Sequence, residues 1–390
     1  MYLTKEEERL YDGEYGWANQ TCMKILVRLG ELFNASKLIP IESAHISGVS
    51  YKTLGDAPVE FLQALANADG KAKVKATLNP QSFDPDYFSK KLPEHICKKQ
   101  LNILEQFEKM GCIMSLTCTP YNIEKPRQGS HLAWAESSAV VHANSVLGAW
   151  TNRQGGPSAL ASAIIGKTPD YGMHRAENRQ PNILVDVETA LKNEAEFGAL
   201  GIFLGKILGD NIPLIQGLRD VSDEKLKQLG AALATTGMTN MFHHNTRLKR
   251  KEMEKVSVEA KDLEKTVESL STTLNAKPDL VFVGCPHCSI NEIREIARLV
   301  DCEKVKAETE FWVCTSRYIK EKAKEEIKKI EKWGGHVLAD MCTIVSWTEM
   351  LGINTIMTNS AKTAYYAPTL NKAETIFAPL KHCLKTISEG

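Results

Sequence analysis

Apolar positions recur along this chain in two rhythms, one with a spacing of three to four residues and one running nearly unbroken for four to seven. The first marks a helix with one buried stripe and the second a strand buried on both faces. Helices are expected over 11–33, 59–66, 96–109, 190–208, 222–233, 249–270 and 318–333. Strands are expected over 38–45, 72–78, 113–117, 183–187, 212–216, 280–284, 307–313, 336–341 and 355–357, and near Ile376. Such alternation predicts an α/β protein of parallel or mixed sheets covered by helices. In the 318–333 window Ile319, Ala323, Ile327 and Ile330 fall on one stripe, and in the charged 249–270 window Met253, Val256, Leu263, Val267 and Leu270 do the same. Thr4 and Glu7 stand at capping-box spacing and predict a helix start.

The rhythm fails in two places. Residues 137–160 are rich in Ser, Ala, Asn and Gly, with a Gly155-Gly156-Pro157-Ser158 turn before a small-residue helix. Residues 166–181 form a long polar stretch holding Tyr171, His174, Arg175, Glu177, Asn178 and Arg179. Polar loops of this length inside a compact enzyme more often carry function than support. The pattern divides into an N-terminal α/β region of two interleaved domains over 1–275 and a C-terminal doubly wound α/β domain over 276–390.

Charge narrows the partners. Lys plus Arg and Asp plus Glu both number 48, so no positive excess draws nucleic acid or an acidic membrane, and a small-molecule substrate fits better. The basic run Arg247-Leu248-Lys249-Arg250-Lys251 is followed by Glu252 and Glu254 and reads as a solvated face. No apolar run approaches the roughly 18 to 20 residues of a membrane span, and the N-terminus lacks a secretory apolar stretch. A cytoplasmic protein is expected, in which ten cysteines are thiols or ligands rather than disulfides. Cys22, Cys97, Cys112 and Cys383 lie in helix-like stretches and read as packing residues.

Cys118, Cys285 and Cys342 are different, because each follows an apolar run that reads as a strand. Ligands of open α/β sheets gather at the carboxyl ends of strands. Three thiolates meeting there would suit an iron–sulfur cluster with one iron left open to substrate. Other readings stay open on these residues. Cys285-Pro286-His287-Cys288 has the form of a thiol–disulfide oxidoreductase motif, although one long helix over 249–270 is not the βαβ unit that should precede it. A zinc site would need a second closely spaced pair, which is missing. Buried packing thiols, or a scaffold that binds a partner without chemistry, are the plainest readings. Adjacent His243 and His244 point apart and do not share an ion.

Segments along the whole chain resemble the large subunit of the aconitase X family. They are Met1-Tyr2-Leu3-Thr4, Glu42-Ser43-Ala44-His45-Ile46-Ser47-Gly48, Thr117-Cys118-Thr119-Pro120-Tyr121 and Trp134-Ala135-Glu136-Ser137-Ser138-Ala139. Further along come Asn144-Ser145-Val146-Leu147-Gly148-Ala149-Trp150-Thr151-Asn152-Arg153, Gly155-Gly156-Pro157, Gly284-Cys285-Pro286-His287-Cys288-Ser289 and Thr358-Asn359-Ser360-Ala361-Lys362. The resemblance implies an aconitase-like multidomain architecture around an interdomain cleft and a 4Fe-4S cluster with one open iron. Its ligands would be Cys118, Cys285 and Cys342, with Cys288 as the substitute. Aconitases proper take two ligands from a single Cys-x-x-Cys, whereas this chain has separate cysteines as well as its own Cys-x-x-Cys.

The archaeal branch dehydrates (R)-5-phosphomevalonate to trans-anhydromevalonate 5-phosphate in isoprenoid biosynthesis, and the bacterial branch dehydrates cis-3-hydroxy-L-proline. The resemblance also implies a separate small subunit carrying the swivelling domain and its serine base, so no catalytic base is assigned to this chain. A phosphorylated hydroxy acid would be held by His45, Ser47, Asn152, Arg153, His174, Arg175, Asn359, Ser360 and Lys362. Arg153 offers a bidentate fork and Lys362 a point charge beside turn-forming residues, which makes them the better anion partners.

Overall fold

The computed structural model describes every residue except 89, 245–252, 275, 301–308 and 390. The basic run at 247–251 and the start of the strand expected over 307–313 therefore lie outside the described residues. Contacts divide the chain into two units, Met1–Ser82 with Leu92–Gln180, and Phe83–Lys91 with Pro181–Gly390. No described helix is long and apolar enough to cross a membrane.

In the first unit the strands are β1 (Leu38–Pro40), β2 (Ser43–Ile46), β3 (Lys75–Leu78), β4 (Leu132–Trp134) and β5 (Lys167–Pro169). The sheet β3-β2-β4 is parallel, and β1 and β5 form a separate antiparallel ribbon. The strand expected over 38–45 thus splits: Ile41 bonds to the Gly166 carbonyl and Glu42 to that of His131, carrying the chain from ribbon to sheet. Helix Gly156–Ile165 packs on the sheet and helix Trp17–Leu32 packs on that helix, with Met23, Leu26, Ala44, Ile46, Ala159 and Ile164 in one core. Small residues let the second helix lie close to its neighbours, as its composition predicts. The capping box at Thr4 and Glu7 forms and starts helix Lys5–Asp12.

The run over 113–117 is not a strand. Ile113 bonds to the Ala76 carbonyl at 2.7 Å and Thr117 to that of Leu78 at 3.0 Å, so the segment follows β3. Between them Leu116 turns to φ 40°, and the Ser115 hydroxyl meets both the N–H (2.9 Å) and the C=O (3.0 Å) of Leu78. A side chain has taken the place of a ladder bond.

The second unit holds β6 (Ile183–Val187), β7 (Pro213–Gln216), β8 (His243–His244), β9 (Glu254–Val258), β10 (Leu280–Val283), β11 (Glu310–Thr315), β12 (His336–Ala339), β13 (Thr355–Thr358) and β14 (Glu374–Phe377). They make two parallel sheets, β8-β7-β6-β9 and β12-β11-β10-β13-β14. The helix expected over 249–270 is instead β9 followed by helix Ala260–Ser269. Val256 and Val258 turn inward between exposed Lys255 and Ser257, a period-two pattern that the charged context conceals. The helix expected over 318–333 is two, Arg317–Lys322 and Lys324–Trp333, with Ile319, Ala323, Ile327 and Ile330 all buried.

Segment Phe83–Lys91 joins this second unit through polar bonds. Asp84 accepts the Ala339 N–H at 2.8 Å, Tyr87 donates to Glu310 at 2.9 Å, and Arg317 reaches Asp86 at 3.0 Å while bonding Asp340 at 2.7 Å. Both units carry parallel sheets covered by helices, the first with an added antiparallel ribbon, which is the α/β class that the alternation predicts.

Candidate functional site

The five-stranded sheet is doubly wound. From β10 the chain builds outward through β11 to β12, then returns to the other side of β10 for β13 and β14. The order of strands reverses between β10 and β13, and the crevice outside that point is where such sheets bind ligands. Cys285 leaves the end of β10, Asn359 and Ser360 leave the end of β13, and Cys342 follows β12.

Local sequence shapes the Cys285 loop. Gly284 has φ 111°, and a methyl group on it would stand 2.3 Å from the Cys314 carbonyl oxygen, so only glycine lets β10 turn against β11 here. The Cys288 N–H donates to the Cys314 carbonyl at 3.0 Å, and the Thr315 hydroxyl donates to the Cys288 carbonyl at 2.7 Å. His287 Nε2 lies 2.8 Å from the Met341 carbonyl oxygen. A carbonyl only accepts, so the ring proton sits on Nε2 and ties the Cys285 loop to the Cys342 loop. Ser289 and Glu292 then close a capping box over helix Ile290–Leu299.

Opposite, Ser360 caps helix Ala361–Leu370 by accepting the Thr363 N–H at 3.2 Å, and Lys362 stands in the first turn. The Asn359 amide donates to Glu194 at 3.2 Å, while its oxygen is buried without a hydrogen-bond partner among the described residues. Buried acceptors in native proteins are nearly always satisfied, so this one points to a bound group or water.

The thiols differ in environment. Desolvation, with the neighbouring Cys285 thiol adding to it, pushes Cys342 up to about 12, and Lys362 pulls the other way. Cys288 is raised by burial and by Glu292, opposed by Lys227, and it packs into the core with Val281, Val283 and Ile293. Cys285 is 7% exposed and lies outside that core. Cys314, not singled out by the sequence, is wholly buried in β11 with its sulfur 3.8 Å from the Thr343 hydroxyl. Cys22 and Cys112 are buried in the first core, and burial raises each thiol to about 12, as expected of packing residues. The oxidoreductase reading rests on the Cys285-Pro286-His287-Cys288 spacing alone. The strand before β10, β9, belongs to the other sheet, so no βαβ unit within one sheet leads into the motif.

In the first unit a second polar cluster lies at the carboxyl edge of β3-β2-β4. His45 is fully buried, with Nδ1 2.8 Å from the Thr77 hydroxyl. Burial lowers it to about 4, against the pull of Glu136 and Asn79, so the ring is neutral at pH 7. Its Nε2 has no hydrogen-bond partner among the described residues. Glu136 follows β4 and accepts from Asn79 at 2.9 Å and from the Ser138 hydroxyl at 3.0 Å. Cys118 comes directly after Thr117, whose N–H bonds to the last residue of β3. Ser47 follows β2, and Arg153 is held beside β4 by the Gln154 N–H bonding to the Trp134 carbonyl at 3.0 Å. Glu136 and Asn79 were missed by the sequence reading. Their only signal is that each comes just after the end of an apolar strand.

Three other expected substrate contacts bond within the loop at 166–181 or to the residues beside it. Asn152 donates to the Tyr171 carbonyl at 2.9 Å and accepts from the Met173 N–H at 2.7 Å. His174 meets His131 at 3.0 Å through their Nδ1 atoms, and Arg175 donates to the Asp170 carbonyl at 2.7 Å. Among the described residues no three His, Cys, Asp or Glu side chains already form a metal cradle. A cavity of about 360 Å³ opens near the amino ends of β2 and β3, lined by Ser43, Lys75 and Trp134. On its rim Lys75 pairs with Glu124 at 2.6 Å and Arg127 with Glu42 at 2.9 Å.

Three family models match the chain in order: aconitase X first domain over residues 1–177, second domain over 181–268 and third domain over 278–389. The chain is 47% identical to the phosphomevalonate dehydratase large subunit of Methanocaldococcus jannaschii, covering 99% of this chain and 100% of that one. It is 40% identical to the phosphomevalonate dehydratase large subunit of Methanosarcina mazei, covering 100% and 98%. It is 30% identical to the cis-3-hydroxy-L-proline dehydratase of Pseudomonas aeruginosa, covering 98% of this chain and 69% of that enzyme. The crystal structure of Thermococcus kodakaraensis aconitase X in its holo form superposes with a TM-score of 0.93 at 39% identity, covering 99% of both chains. As the sequence resemblance implied, the chain belongs to the aconitase X family, and it is an enzyme of the hydro-lyase class.

Proposed function

We propose that this chain is the large subunit of a cytoplasmic iron–sulfur dehydratase that converts (R)-5-phosphomevalonate to trans-anhydromevalonate 5-phosphate in isoprenoid biosynthesis. The observation that carries the reading is the 47% identity to a phosphomevalonate dehydratase large subunit over essentially the full length of both chains. The hydroxyproline dehydratases stand at 30%, and this chain spans 69% of their length. The name of the relatives supports a separate small subunit, to which the family resemblance assigns the swivelling domain and the base.

The donors fit the cofactor. Thiolates are soft ligands suited to iron–sulfur clusters, and Cys285 and Cys342 leave one sheet edge, where the Cys285 thiol disfavours ionisation of Cys342. A bound cation relieves such repulsion. Cys118, at the carboxyl edge of the first unit's sheet, is the third ligand in this reading. A cluster held by these thiolates supplies a Lewis-acidic iron, an effect worth several kcal/mol to the departure of a poor leaving group. Around it the chain's own residues bind and orient. Lys362 and the helix start at Ser360 favour an anionic group, phosphate or carboxylate. The unpartnered Asn359 oxygen accepts a substrate hydroxyl, and Glu136 with Asn79 and Arg153 orients the rest of the hydroxy acid.

The test is to purify the chain with its small subunit without oxygen, record absorbance and iron content, and assay both substrates. A brown, iron-containing complex that dehydrates phosphomevalonate, while neither subunit does so alone, is expected. A colourless, iron-free complex with full activity would overturn the cluster. Turnover of cis-3-hydroxy-L-proline alone would overturn the substrate.

A further inference from the structure

Lys227 lies on helix Asp223–Thr236, which connects strands of the four-stranded sheet, but its side chain ends under the Cys285 loop of the other sheet. The side chain is 4% exposed. Its Nζ lies 3.1 Å from the His287 carbonyl oxygen and 3.4 Å from that of Pro286, and it pairs with Glu292. Pro286 and His287 are the residues between the two cysteines, so the ammonium grips the backbone of the turn that presents Cys285. Glu292 in turn receives the Ser289 N–H at 2.7 Å, fixing the helix that follows Cys288. One cation therefore holds both ends of the Cys-x-x-Cys turn.

Packing alone does not account for this residue. Desolvating an ammonium and a carboxylate costs several kcal/mol per ion, and a well-packed apolar pair in the same volume is often as stable or more so. What an apolar pair lacks is a positive charge against the loop and a donor for the carbonyls of Pro286 and His287. A fixed cation beside a thiolate-held cluster favours its more negative, reduced state.

We propose that Lys227 is a positioning residue for the iron–sulfur cluster, holding the Cys285 turn by its carbonyls and raising the cluster's reduction potential through its charge. The proposal rests on the cluster reading above. Its test uses the two-subunit complex purified without oxygen, comparing wild type with Lys227→Met, Lys227→Arg and Glu292→Gln. The readouts are iron per complex, cluster reduction potential, rate of iron release to a chelator, and melting temperature of the iron-free protein.

Lys227→Met is expected to melt within a few degrees of wild type when iron-free, to release iron at least tenfold faster and to shift the potential to more negative values. Lys227→Arg should restore both properties. Glu292→Gln, which removes a negative charge and keeps the cation, should shift the potential the opposite way. Wild-type potential and iron release in Lys227→Met would overturn the proposal and leave Lys227 a structural link. Should Lys227→Met not fold, the sign of the Glu292→Gln shift decides, and no upward shift overturns the proposal. A wild-type complex without iron overturns the cluster reading, and this proposal with it.

Discussion

His174 is a buried imidazole whose neighbours are a second imidazole at 3.0 Å and the Arg179 guanidinium, so a proton on it has no compensating charge. Burial first, then His131 and Arg179, lower it to about 3 in the folded chain. Unfolded, it returns to about 6.5. Between those values the unfolded chain binds a proton that the folded chain refuses, so stability falls as pH drops from 6.5 toward 3 and is unaffected above. The slope from this group approaches about 1.4 kcal/mol per pH unit. Urea-unfolding midpoints at pH 7 and pH 5 should therefore differ more in wild type than in His174→Gln, and equal differences would show that His174 does not titrate this way. From the sequence His174 reads as a substrate contact. Residue type and loop position leave no sign that its Nδ1 meets His131, 43 positions away.

At the scale of elements, the junction between β10 and its loop is the tightest place in the site. Gly284→Ala must move either the Cys314 carbonyl or the turn itself, because both the φ of 111° and the 2.3 Å approach oppose a side chain. A loss of more than about 2 kcal/mol in a urea titration is expected, together with loss of iron from the complex, and an unchanged midpoint would contradict the clash. Strands β10 and β12 were legible because a parallel strand buried on both faces is a continuous apolar run, too short for a helix and too apolar for a solvated loop. The run before Cys118 has the same composition, but the hydroxyl of Ser115 competes for the backbone groups of Leu78 and stops the ladder. Strand β9 was hidden for the reverse reason. An edge strand with one buried face needs only Val256 and Val258, and four-residue spacing can be read through the same charged stretch.

For the molecule as a whole, the decisive expectation is that cysteines far apart in the chain share one cofactor. Cys118→Ser, Cys285→Ser and Cys342→Ser should each strip iron from the anaerobic complex, whereas Cys22→Ser and Cys288→Ser, changed in apolar cores, should retain it. Iron content by colorimetry and absorbance checks this, and iron retained by Cys118→Ser but lost by Cys22→Ser would reverse the assignment. The segment Phe83–Lys91 shows what distance along the chain conceals. Its own pattern yields only the short helix Pro85–Phe88, but its aspartates meet the Ala339 N–H and Arg317, partners more than 200 positions away. The sequence by itself determined the α/β class, most helices and strands, and the thiols that leave β10 and β12, because burial imposes a period on each element that neighbouring residues carry alone. Only the tertiary structure decided which strands share a sheet, that the strand order reverses beside Cys285, that Lys227 crosses to that loop, and which polar side chains bond across the loop at 166–181. Those outcomes depend on hydrogen bonds and charge pairs between segments whose separation along the chain leaves no local trace.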